Sequence, residues 1–167
     1  KNIDFFFFSS VKTDLAVIKY FIDNIDDQNI QNFFNVAFIQ TIRDSSKTRP
    51  NEFKLYKRSA ENLKHFRPDV FALMEKNLSK ILLGFINFNK LKKNESSSEI
   101  YDFNTSYYIP DFLNNQKINL VVTSPPYGDS QTTVAYGQFS RLTNQWLGYE
   151  NANQLDSQLM SGKRSNM

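Results

Sequence analysis

The sequence predicts an α/β protein in which a mainly helical segment, residues 1–95, precedes part of a parallel sheet within residues 96–167. In the first segment apolar residues recur every three or four positions, as they do along one face of a helix. In the second segment this spacing gives way to short β-like runs. The polar stretch KLKKNESSSE, residues 90–99, lies between the two patterns and marks the predicted boundary.

Three amphipathic helices are predicted in the first segment. One begins near Ser10 as its cap, one after Asp27 and one after Pro68. Their apolar positions are Val11, Leu15, Ile18, Ile22 and Ile25 in the first, Ile30, Phe33, Phe34, Ala37, Phe38 and Ile42 in the second, and Val70, Met74, Leu78, Ile81 and Phe85 in the third. We expect these faces, together with the run FFFF of residues 5–8, to form the core.

Two strands and a helix are predicted in the second segment. The candidate strands are EIYDF, Glu99–Phe103, and INLVV, Ile118–Val122, with a turn or short helix at Pro110 between them. The second run is continuously apolar, as strands buried on both faces of a sheet tend to be. A helix within Tyr136–Tyr149 is expected to end at Gly148.

The composition excludes several classes of function. The chain has 167 residues and no cysteine, so disulfides, thiolate zinc sites and cysteine nucleophiles are excluded. The one histidine, His65, is interpreted as a surface imidazole, and no metal site is expected. No apolar stretch approaches the ~20 residues that span a bilayer, and no signal peptide is visible, which favours a cytoplasmic protein.

Positive charge is concentrated between Thr41 and Pro68. This stretch holds eight Lys and Arg against three Asp and Glu, whereas the whole chain carries a net charge of only +3. Aromatic residues, among them Tyr56 and Phe66, are interspersed in it. The pattern is typical of a surface that contacts phosphates, with Lys54 and Arg58 as candidate contacts; a solvated helix and loop surface is the alternative.

The run INLVV leads into Thr-Ser-Pro-Pro-Tyr, residues 123–127. In open α/β sheets ligands bind beyond the carboxyl ends of the strands, which is where this motif is expected. Pro125 and Pro126 stiffen the backbone and leave carbonyl oxygens without competing N–H donors. Ser124 adds a hydroxyl and Tyr127 a flat ring. Such a corner suits a planar heterocycle with an amino group, although a simple strand-ending turn would have the same residues.

The TSPPY motif resembles the catalytic motif of the S-adenosylmethionine-dependent DNA amino-methyltransferases, in the form typical of N4-cytosine enzymes. The resemblance is strongest from Ile118 to Gly148. It implies a Rossmann-like methyltransferase sheet, S-adenosylmethionine as cofactor, double-stranded DNA as substrate and a bacterial restriction–modification system with a cognate endonuclease. An adenine-N6 enzyme and an inactive nucleic-acid-binding subunit remain as alternatives.

The resemblance also implies roles for single residues. Ser124 and the Pro125 carbonyl would accept hydrogen bonds from the amine of an extruded base, Pro126 would hold the corner rigid, and Tyr127 would stack on the base. Further candidates are Thr123 and Asn104 for the cofactor and Asp129 and Arg141 for the substrate. A turn aspartate and a surface salt bridge are the respective alternatives for the last two.

One feature of the family is missing from the sequence. The chain has five glycines, and no two are spaced to form the glycine-rich cofactor loop of such enzymes. We therefore expect the chain to be a fragment that carries the catalytic motif and binds S-adenosylmethionine poorly by itself.

Overall fold

The described part of the chain is helical. The computed structural model describes residues 2–52, 54–92, 97–101, 103, 108–114, 118–122 and 136–152. Its helices are α1 (Asn2–Phe6), α2 (Ser9–Asp23), α3 (Gln28–Ser45), α4 (Ala60–His65), α5 (Val70–Leu91), α6 (Asp111–Asn114) and α7 (Tyr136–Trp146). Among these helices, none carries an apolar run long enough to cross a membrane.

The predicted starts of α3 and α5 are confirmed by their caps. The carboxylate of Asp27 accepts hydrogen bonds from the backbone N–H groups of Asn29 and Ile30 at the start of α3. Asp69 caps α5 in the same way, although Pro68 was the signal that marked this position in the sequence. The predicted cap of the first helix is wrong. Ser10 lies inside α2, and Phe8, which cannot cap with its side chain, precedes the helix.

The core forms around α3, which packs against α2, α5 and α7, while α1 contacts α7. Its largest fully buried apolar side chains are Phe7, Phe38, Leu15, Ile42, Val11 and Val70. Trp146 closes the core from α7, with its ring edge-on to Phe7 at 6.0 Å and to Phe38 at 6.4 Å between centroids. Burial of these aromatic and aliphatic groups is the main stabilising term of the fold.

The predicted α/β fold class is wrong. In the described part of the chain there is no strand, and the one β-bridge joins Thr48 to Lys57 in a loop. Ile118–Val122 is irregular, with its apolar side chains 65% to 86% exposed, and Ile100 is 98% exposed. An apolar run indicates a need for burial, but it does not supply the paired strands that a buried sheet requires. The domain division near residue 95 stays a prediction.

A predicted core position in the C-terminal half of α5 is wrong. Val70 and Met74 are buried, and Leu78 and Ile81 pack partly against the core. Phe85, expected on the same face, is 55% exposed. Its ring still contacts Phe33 of α3 edge-on at 6.3 Å. Helical spacing alone therefore overestimates the buried length of this helix.

Candidate nucleic-acid interface

Residues 47–58, hereafter the basic loop, belong to the connection between α3 and α4. The N–H of Arg49 donates to the carbonyl of Tyr56 at 2.8 Å, and the N–H of Arg58 donates to the carbonyl of Lys47 at 2.9 Å. Asn51 has φ 61° near the tip. Asparagine tolerates this left-handed conformation better than most residues. The loop is thus closed by backbone bonds at its base and turned at its tip.

Four cations of the basic loop lie over aromatic rings. The pairs, with the distance from the charged group to the ring centroid, are Lys47 on Phe8 at 4.5 Å, Lys57 on Phe5 at 4.5 Å, Arg58 on Phe66 at 4.1 Å and Arg49 on Tyr56 at 5.8 Å. Arg67, which follows α4, lies over Phe8 as well, at 5.5 Å. A ring attracts a cation through its quadrupole and holds it in place, but it contributes no opposite charge.

The charges of the basic loop are therefore not neutralised within the described part of the chain. The ion pairs found there, Lys12–Asp4 and Lys19–Asp23, do not involve the loop. The pKa of Lys47 is lowered, first because burial disfavours the charged form and then because the charges of Lys57 and Lys12 repel it. Like charges crowd together at this surface, and an anion bound there would relieve the repulsion.

A cavity of about 540 Å³ opens between the basic loop and α3. Three arginines and two carboxylates line it, namely Arg43, Arg49, Arg58, Asp44 and Glu52. The volume falls in the range of roughly 300–1,000 Å³ typical of ligand sites. The Asp44 carboxylate already accepts hydrogen bonds from the side chains of Gln40 at 2.8 Å and Asn77 at 3.2 Å. The cavity lining therefore has more arginines than carboxylates, and one of those carboxylates is already hydrogen-bonded by neutral side chains.

The basic loop and the last turn of α3, which precedes it, each contact α7. The guanidinium of Arg43 lies 3.2 Å from the centroid of the Phe139 ring, and its Nη1 donates to the Phe139 carbonyl at 3.4 Å. The N–H of Leu55 donates to Oε1 of Gln138 at 3.3 Å. Burial lowers the pKa of Arg43, and the neighbouring Asp44 charge opposes this shift. The loop therefore contacts α7, which is the first described helix after the TSPPY motif of residues 123–127.

The structure describes three of the predicted site residues. Lys54 lies in the basic loop beside a small cavity bounded by Arg43 and Phe139, and Arg58 lines the larger cavity next to the same pair. Arg141 is half-buried on α7. His65 is exposed, as predicted. The remaining candidates, Asn104, Thr123, Ser124, Pro125, Pro126, Tyr127 and Asp129, lie outside the described residues.

Sequence reasoning named Tyr56 and Phe66 among the cations but missed two other aromatic partners of the basic loop, Phe5 and Phe8. The run FFFF was assigned to the core as a whole, but it divides. Phe6 and Phe7 are buried, whereas Phe5 and Phe8 face the cations of the loop. Phe5 and Phe6 belong to α1, whereas Phe7 and Phe8 lie between α1 and α2, so the four side chains do not share one face. The described residues contain no group of three or more His, Asp or Glu side chains placed to hold a metal ion.

Comparisons with known proteins extend the resemblance beyond the TSPPY motif. No family model matches the sequence, and no solved structure matches it either. The chain is 39% identical over 170 residues to the Type II methyltransferase M.MvaI of Kocuria varians. The alignment covers 97% of this chain and 37% of the relative, so the chain spans well under half of that protein's length. The helical segment and the basic loop are therefore included in the similarity, and the chain is homologous to part of a Type II methyltransferase.

Proposed function

We propose that this chain is the part of an S-adenosylmethionine-dependent DNA methyltransferase that carries the catalytic motif, and that the enzyme methylates N4 of cytosine. The observation that carries the proposal is the TSPPY motif in a chain 39% identical to a Type II methyltransferase. The basic loop supports a DNA substrate, because uncompensated cations at a surface are what phosphates require.

The residues of the motif suit chemistry at an exocyclic amine. The lone pair of such an amine is conjugated into the ring, so the nitrogen is a poor nucleophile. Hydrogen bonds from its two N–H groups to the Ser124 hydroxyl and the Pro125 carbonyl favour tetrahedral geometry and stabilise the positive charge that develops. The nitrogen gains a methyl group and loses a proton to solvent. S-adenosylmethionine, when bound, would supply the methyl group by cleavage of its sulfonium S–CH3 bond, which leaves a neutral thioether.

The chain's other residues restrict the reaction. Cytosine-C5 methylation proceeds through a cysteine nucleophile, and this sequence has none. A target base is inaccessible inside a duplex, so it must be extruded, and Tyr127 is proposed to stack on it. Thr123 and Asn104 remain the candidates for the cofactor, and Asp129 and Arg141 for the substrate. A cognate endonuclease that cuts the same site is part of the proposal.

Mass spectrometry of the modified nucleoside tests this function. DNA is incubated with the full-length protein and S-adenosylmethionine and then digested to nucleosides. We expect N4-methylcytosine from the wild type and a loss of about 10²-fold or more in rate for Ser124→Ala. Ser79→Ala, which removes an exposed hydroxyl on α5, is the matched control and should retain full activity.

The other outcomes separate the alternatives. N6-methyladenine as the product would replace the cytosine assignment with an adenine-N6 enzyme. DNA binding without any methylated base would favour an inactive binding subunit. Equal rates for the wild type and Ser124→Ala would remove the serine from the catalytic role.

A further inference from the structure

We propose that the basic loop and the rings beside it hold the phosphate backbone of duplex DNA. The inference rests on the proposed function for its DNA substrate, and it assigns that substrate a place on the described part of the molecule. It rests on three features of the loop: its charge, the way the charges are held and its connection to α7.

The charge of the basic loop matches a polyanion. Five cations, Lys47, Arg49, Lys54, Lys57 and Arg58, stand against one carboxylate, Glu52, within residues 47–58. In the described part of the chain no carboxylate lies within ion-pair distance of these cations. Binding of phosphates would therefore not require existing ion pairs to break, and it would release the counterions condensed on the DNA.

The aromatic rings orient these cations in advance. A free lysine or arginine loses rotamer entropy when it binds a phosphate. Stacking of Lys57 on Phe5 and of Arg58 on Phe66, at 4.5 Å and 4.1 Å, has already restricted these side chains. Less entropy is then lost on binding, which favours affinity without any additional contact.

The same stacking favours the backbone over the bases. Proteins that bind single strands usually offer open aromatic faces on which bases stack. In the basic loop these faces carry cations, and the Phe8 ring is approached by both Lys47 and Arg67. Arg49 approaches the Tyr56 ring at 5.8 Å, and both Tyr56 and Phe5 remain about half exposed. The surface thus presents cations held over partly exposed rings, and its excess of positive charge suits the phosphates of a duplex.

The connection to α7 places this contact in a fixed relation to the following element. The N–H of Leu55 in the loop donates to Gln138 Oε1, and Arg43, at the end of α3 just before the loop, lies over the Phe139 ring. Phosphates held by the loop would be held relative to the helix that follows the TSPPY motif. The contact would thus fix the register of the duplex without reading its sequence.

The salt dependence of DNA binding tests the proposal. All variants are made in the full-length protein carrying Ser124→Ala, so that methyl transfer plays no part in the readout. Binding to a fluorescent duplex of arbitrary sequence is measured by anisotropy over a range of salt concentrations. The triple variant Arg49→Gln, Lys54→Gln, Lys57→Gln should flatten the slope of log K against log salt by about 2 to 3, since each phosphate contact contributes about 0.9.

Two triple variants control for net charge and for folding. Lys76→Gln, Lys80→Gln, Lys90→Gln removes the same charge from the exposed surface of α5 and should leave the slope within about 0.5 of the parent. Arg49→Lys, Lys54→Arg, Lys57→Arg keeps the charge in the loop and should preserve the slope. An unchanged slope in the first triple variant, or an equal change in the α5 variant, overturns the proposal.

A single-stranded RNA of equal length distinguishes the class of ligand. We expect the loop variant to weaken duplex binding more than RNA binding; the reverse order would contradict a duplex surface. Because binding is measured without S-adenosylmethionine, no methyl transfer can occur, and these measurements fail or succeed independently of the nucleoside experiment. Absence of any methylated base would end the proposed catalysis, whereas an unaltered slope would end only the assignment of the basic loop.

Discussion

Asn77 is a polar residue enclosed where α5 packs against α3. It is 5% exposed, and its Nδ2 donates to Thr41 Oγ1 and to Asp44 Oδ2, both at 3.2 Å. The Thr41 hydroxyl in turn donates to the carbonyl of Ala37 at 2.9 Å. Buried polar groups are tolerated when they are hydrogen-bonded in this way. The pairings therefore fix the rotation of α5 against α3 as well as their contact.

Replacement of Asn77 by alanine should weaken the fold. Asn77→Ala removes both hydrogen bonds from a closed interface, and we expect the free energy of unfolding to fall by about 1–3 kcal/mol. Asn89→Ala, at an exposed position of the same helix, gains similar helix propensity and should change stability by less than about 0.5 kcal/mol. Urea denaturation of the two variants gives the comparison. Equal stabilities would mean that the Asn77 bonds do not form in solution.

The junction between the basic loop and α7 joins two elements far apart in the sequence. The hydrogen bond from Leu55 N–H to Gln138 Oε1 connects them directly and can be removed without changing charge. Loop segments that depend on few bonds open locally at low free-energy cost. The junction is thus the point at which the position of the loop can be altered selectively.

Gln138→Ala should release Leu55 while leaving the base of the loop closed. Loss of a hydrogen bond worth about 0.5–1.5 kcal/mol predicts amide exchange at Leu55 that is about 2- to 10-fold faster. The Arg58 amide bonds the Lys47 carbonyl inside the loop, so its exchange should not change and it serves as the internal control. Hydrogen exchange followed by NMR measures both amides in one sample. Faster exchange at Arg58 as well would show that α7 holds the whole loop.

At the scale of the molecule, folding brings positive charges from different elements together. Lys12 belongs to α2, while Lys47 and Lys57 come from the two ends of the basic loop, and the charges of Lys12 and Lys57 act on Lys47. Burial of Lys47, and then the charges of Lys57 and Lys12, lower its pKa, so the folded protein holds a proton on Lys47 less readily than the unfolded chain does. Like-charge crowding of this kind costs stability in the free protein and is the expected consequence of a surface that serves binding.

The pH dependence of stability should reveal this cost. Because the pKa of Lys47 in the folded state lies below its ordinary value of 10.5, the unfolded state binds more protons between these two values. Stability contributed by this residue should consequently rise as the pH increases through that window. Unfolding of the wild type and Lys47→Gln across alkaline pH gives the difference. Lys47→Arg keeps its charge throughout and should abolish the rise; a difference that falls with pH would contradict the prediction.

Local sequence signals predicted the helices well, since their causes are local. Asp27 supplies its own capping oxygen, and Pro68 precedes the start of α5. Gly148, with φ 85°, follows α7 by two residues, close to the predicted end of that helix. The excess of positive charge in residues 41–68 was also visible directly, and with it Lys54 and Arg58. These features depend on neighbours along the chain, so one sequence determines them.

Tertiary structure alone decided which apolar residues find a partner. Ile118–Val122 and Phe85 have the pattern of buried residues and yet are exposed in the described part of the chain. Phe5 and Phe8, which were also expected in the core, instead contact the cations of the basic loop. A pattern of hydrophobicity reports what a segment would gain from burial. Whether the segment is buried depends on residues distant in sequence, as the contact between Arg43 and Phe139 illustrates. The arrangement of such residues is set by tertiary packing rather than by local preference.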